Sequence, residues 1–76
     1  MTLIGVDLGY RDATTIAIVK GGKFQFRSIC AGTELHDTIQ QIVDLMLKYD
    51  VLPENLSIPA HPAVEQKIKR MFYRYR

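Results

Sequence analysis

The feature that most constrains this chain is a change of hydrophobic period at Gly32. Upstream, short β-branched runs alternate in the two-residue rhythm of strands; downstream, apolar residues recur at helical spacing. TLIGVD, from Thr2, and TTIAIVK, from Thr14, predict buried strands over 2–8 and 14–20. Gly9 and Asp12 suit the tight connection between them. Gly21-Gly22 is a two-residue hairpin signal, because glycine adopts positive φ without a steric penalty. In KFQFRSI, Phe24, Phe26 and Ser28 alternate with Lys23, Gln25, Arg27 and Ile29, which predicts a third strand over 23–29 with one wetter face.

After Gly32, Thr33 is the expected N-cap of a helix over 34–49, with Glu34 in its first turn. Leu35, Ile39, Ile42, Val43, Met46 and Tyr49 form one apolar stripe on that helix. Pro53 marks the next connection, and LSIP predicts a brief strand over 56–59. Pro62 suits the first position of a second helix, over 62–74, whose stripe is Val64, Ile68, Met71, Phe72 and Tyr75. The order is β-β-β-α-β-α. A helical crossover sets the fourth strand parallel to the first and beside it. The expected fold is therefore α/β: a four-stranded mixed sheet in order 3-2-1-4, with two helices mainly on one face, and one domain over 1–76.

Size and charge narrow the function classes. A chain of 76 residues, 47% hydrophobic, suits one folded domain with a small core. Ala13–Val19 is uncharged for only seven residues, against the roughly 20 of a membrane span, so no membrane partner is expected. No basic residue precedes Arg11, so the expectation is a cytoplasmic chain without a signal peptide. Cys30 is the one cysteine, which leaves no internal disulfide, and it reads as a small buried apolar residue. Residues 1–66 hold five basic and eight acidic side chains, a net of −3. Residues 67–76 hold five basic and no acidic ones, a net of +5. A basic end on a mildly acidic body points to an anionic partner, while a solvated helix end meeting its own macrodipole is the plain alternative.

Two stretches resemble known families. IGVDLGYRDATTIAIV, from Ile4, resembles the opening hairpin of the actin-like ATPases and the ribonuclease H-like nucleases, where an aspartate ends the first strand and a glycine turn follows. The turn Asp12-Ala13-Thr14 looks more like the nuclease domain of phage terminase large subunits. NLSIPAHPAVEQKIKRM, from Asn55, is similar to a later segment of the actin-like ATPases, a strand ending in Pro-Ala before a helix. The resemblance implies a ribonuclease H-like half-domain. It also implies that Asp7 would offer a carboxylate to Mg²⁺, while Gly9 and Thr14 or Thr15 would approach a phosphate.

Catalysis is not expected from this chain alone. An actin-like ATPase needs a second lobe, and a two-metal nuclease needs several converging carboxylates. The segment Leu56-Ser57-Ile58-Pro59-Ala60 has no acid, the last helix offers only Glu65, and Asp12 is the one further acid near Asp7. His36 and His61 read as two surface histidines, and Tyr49, Phe72 and Tyr75 as core aromatics. Tyr10, beside Gly9, suits either turn packing or a contact with a ligand.

The leading expectation is a small nucleic-acid-binding protein. Lys67, Lys69, Arg70, Arg74 and Arg76 would neutralise phosphates, with Tyr73 or Phe72 stacking if exposed. The alternative is a protein-interaction module or a small phage- or plasmid-type regulator docking an acidic protein surface. A third reading is a nucleotide or metal half-site, Asp7, Gly9 and Thr14, completed by a homodimer.

Overall fold

The computed structural model describes residues 1–9 and 11–75. Strands β1 (Thr2–Asp7), β2 (Thr14–Lys20) and β3 (Lys23–Ile29) form an antiparallel meander. Helix α1 (Leu35–Lys48) and a 3₁₀ turn (Pro53–Asn55) lead to β4 (Leu56–Ser57), which pairs parallel with β1, and helix α2 (Pro62–Tyr75) follows. The sheet order is β3-β2-β1-β4, the expected α/β arrangement. None of the described helices is long and apolar enough to cross a membrane.

Period and register decide which side chains meet the helices. Ile4, Val6, Ile16, Ile18 and Ile29 are buried on one sheet face. There they join Ile39, Ile42, Val43 and Met46 of α1 and Ile68 and Phe72 of α2 in one core. Gly21 and Gly22, at φ 58° and 76°, close the β2–β3 hairpin with both residues left-handed, a turn whose twist matches the flanking strands. That turn sets Lys20 opposite Lys23 and Val19 opposite Phe24.

The end of α1 is a Schellman motif. Asp50 takes φ 53°, Val51 N–H donates to Met46 O at 2.8 Å and Asp50 N–H donates to Leu47 O at 3.3 Å. Val51 and Met46, both fully buried, supply the apolar contact that accompanies such an ending.

Three local expectations are corrected and a fourth is refined. Glu34, not Thr33, is the N-cap residue of α1 and gives no side-chain cap; the Thr33 hydroxyl instead donates to Cys30 O at 2.7 Å. The fourth strand stops at Ser57, because the Ile58 N–H is taken by the Glu65 carboxylate at 2.7 Å and Pro59 has no N–H to extend a ladder. Cys30 is exposed, since Ile29 holds the inward phase of β3 and the next residue points away. Tyr49 packs against the core as expected but only half-buried: its hydroxyl accepts from Arg27 Nη2 at 3.1 Å and donates to Gln25 Oε1 at 3.2 Å, tying the α1 end to the sheet edge.

Candidate nucleic-acid interface

Helix α2 is held from one side. Ile68 and Phe72 are 0% and 1% exposed, and Val64 and Met71 pack partly buried against the same core. Burial of an aromatic and an isoleucine contributes roughly 1.5–3 kcal/mol each, so the rotation of α2 is fixed by these two residues. Pro62 opens the helix at a position where a missing N–H costs nothing.

That rotation turns the basic row outward. Lys67, Arg70 and Arg74 are exposed and, with Met71, line a shallow hollow of about 400 Å³. Their spacing of three and then four residues places them along about 10 Å of one helix side. None of the three forms an ion pair among the described residues. Like charges at this spacing disfavour a helix by about 0.2–0.5 kcal/mol per pair, a cost that an anion lying along the row removes. Arg74, in the last turn, is partly offset by the negative end of the helix dipole.

The other basic-helix candidates fall elsewhere. Lys69 is half-buried, its Nζ 3.3 Å from Glu65 Oε2. The same Glu65 accepts the Ile58 N–H, and this backbone hydrogen bond, followed by Lys69, holds its pKa below the usual 4.5 against the opposing effect of burial. Lys69 therefore serves the helix start. Arg76 lies outside the described residues. Of the two aromatics offered for stacking, Tyr73 is 64% exposed and Phe72 is core.

The turn after β1 is tied by its own hydrogen bonds. Gly9 N–H donates to Thr14 Oγ1 at 3.1 Å, and that hydroxyl donates back to Gly9 O at 3.3 Å. Thr14 is 2% exposed, so both groups are engaged inside the turn. A Cβ on Gly9 would sit 2.5 Å from Asp12 O and 3.0 Å from Ala13 O; glycine is required here by close backbone approach. Asp7 is exposed at the end of β1, opposite Thr15 in register. It borders a trough of about 410 Å³ whose lining includes Gly5, Ala17, Ser57 and Ala60. Among the described residues, no three His, Cys, Asp or Glu side chains gather as a metal site. His36 stands between Glu34 and Asp37 at 3.3 and 3.4 Å, and the His61 carbonyl accepts the Glu65 N–H at the start of α2. Tyr10 lies outside the described residues.

One feature of the surface had no counterpart in the candidate residues. Phe24 and Phe26 are 66% and 64% exposed on the sheet face that carries no helix. Their rings are near parallel, with centroids 6.4 Å apart.

In comparisons with known proteins, no family model, curated protein or solved structure matches the chain.

Proposed function

We propose that this protein binds nucleic acid through the phosphate backbone, using the row Lys67, Arg70 and Arg74 on α2, without catalysis of its own. The observation that carries the reading is the row itself: three exposed cations on one helix side that form no ion pair among the described residues. A strand presents one phosphate per about 3.4 Å of duplex axis, so a row about 10 Å long spans roughly three phosphates. Such contacts fix position and affinity and carry no sequence information. Tyr73, exposed next to this row in sequence, is available to a base or sugar. Lys69, held by Glu65, supports the helix that presents the row.

The fold belongs to the same proposal. Element order and the 3-2-1-4 sheet support a half-domain of the ribonuclease H-like and actin-like type. Mg²⁺ at Asp7 is not needed for binding through α2.

Titrating a fluorescently labelled duplex with the whole chain at about 50 mM salt tests the reading. Saturable binding that weakens as salt is raised is the expected result. No binding at that salt overturns it and leaves an acidic protein surface as the partner of the same row.

A further inference from the structure

The open face of the sheet is organised in rows set by register. Phe24, Val19 and Leu3 form one row; Phe26, Ala17, Gly5 and Ser57 form the next; Ser28, Thr15 and Asp7 form the third. The large side chains stand on β3, as a ridge of two parallel rings. The small ones, Ala17, Gly5 and Ser57, floor the trough beside it. At about 200 Å² per aromatic side chain, the two rings leave roughly 260 Å² in water; Leu3, 41% exposed, extends the patch. That is about the size of the largest apolar patch on a typical monomer, which is often functional.

We propose that this face is the interface of a homodimer in which two copies pack sheet to sheet, Phe26 of each lying in the trough of the other and Phe24 against its Leu3. Ridge and trough lie on opposite sides of β2, and the row of Phe26 runs across to Gly5 on the trough floor. A two-fold axis running along β2, midway between the sheets, therefore sets Phe26 over Gly5 and Phe24 over Leu3 of the second copy. The same operation makes the reciprocal contacts, as an isologous interface requires. Sheets stacked this way sit about 10 Å apart with their inner side chains interdigitated.

Area and charge favour this occupant. In a two-layer fold the sheet spans the broad dimension, here of a body 32 × 28 × 20 Å. One whole broad face is about a fifth of the 4982 Å² accessible surface, roughly 1000 Å². The strands cover about half of it, at ~3.3 Å per residue and ~4.8 Å between strands, so the ~800 Å² per partner of a stable interface takes in the flanking loops as well. The three rows contain no Lys or Arg, and Asp7 at the rim is their one ionisable group. A phosphate-bearing strand would find aromatic rings here but no counter-charge. Both helices lie on the outer surfaces of such a dimer, so two copies of the α2 row stay exposed. The dimer is independent of the nucleic-acid reading.

Sedimentation equilibrium of the full chain tests it, with two variants. Phe26→Asp places a charge on the ridge. Gly5→Val fills the trough, and its Cβ meets nothing within 4 Å in the single copy, so the fold is retained. The expected mass at ~100 μM is twice 8.7 kDa, with each variant raising the dimer Kd at least about tenfold and leaving the circular dichroism spectrum unchanged. Lys67→Ala with Arg70→Ala and Arg74→Ala should dimerise like the parent, which separates this interface from the α2 row. A mass of 8.7 kDa up to ~500 μM overturns the proposal, as does a dimer that both variants leave intact. A monomer whose Phe24 and Phe26 ring resonances shift on adding oligothymidylate also overturns it, in favour of a stacking platform for single strands.

Discussion

The Glu65 carboxylate accepts the Ile58 N–H at 2.7 Å, joining the first turn of α2 to the chain just beyond β4. One oxygen ends the parallel ladder, and the other faces Lys69 at 3.3 Å. The hydrogen bond lowers the pKa of Glu65 in the folded chain, so its contribution is present above the ordinary carboxylate range. It is lost as pH falls through the lowered value, below 4.5. Glu65→Ala should cost about 1–3 kcal/mol at pH 7, because the Ile58 N–H loses its charged acceptor. In urea titrations the gap between parent and Glu65→Ala should narrow as pH is lowered below 4.5. A gap that is constant down to pH ~3 would contradict the assignment.

Gly9 and Gly5 make a matched pair of opposite expectation. Alanine at Gly9 drives a Cβ into the Asp12 carbonyl and breaks the reciprocal bonds with Thr14, at a cost of about 1–3 kcal/mol. Thermal melts should show a fall of roughly 4–8 °C per kcal/mol for a domain of this size. Alanine at Gly5 meets open space, and that variant at a concentration where the chain is monomeric should melt within a few degrees of the parent. Equal melting of the two alanine variants would refute the close approach at Gly9.

Phe72 and Tyr73 are neighbours in sequence with opposite roles. Phe72→Ala empties the core beneath α2 and should cost about 3–5 kcal/mol, enough to unfold much of a marginal 76-residue chain. Tyr73→Ala, on the exposed side, should change stability by less than about 0.5 kcal/mol. Denaturant unfolding of the two variants checks this directly.

The element order was readable because each segment repeats one period without interruption: isoleucines at 16 and 18 for β2, and Ile39, Ile42, Val43 and Met46 for α1. What escaped was phase rather than type. The direction of the Phe24–Phe26 pair is set by the Gly21-Gly22 turn, which locks Phe24 opposite Val19 and so away from buried Ile18. Counting back across that turn would have exposed the two rings. The separation of Lys69 from Lys67 and Arg70 was legible only in part, since the four-residue step from Glu65 suggests a pair. The second bond of Glu65, to Ile58 seven residues earlier, depends on the chain reversal between β4 and α2. The inward turn of the Thr14 hydroxyl onto Gly9 likewise follows from the third dimension.

The cation row on α2 is tested most directly by the salt dependence of its binding. Duplex affinity is measured by fluorescence anisotropy across a salt series, for the parent and for the triple variant Lys67→Ala, Arg70→Ala, Arg74→Ala. Three phosphate contacts give a log–log slope of about −2.7 for the parent, and each cation removed takes about one unit from it. The triple variant should lose binding uniformly across sequences and keep its melting temperature within a few degrees. A parent without measurable affinity at low salt, or a triple variant that binds as tightly as the parent, would contradict nucleic-acid binding through α2.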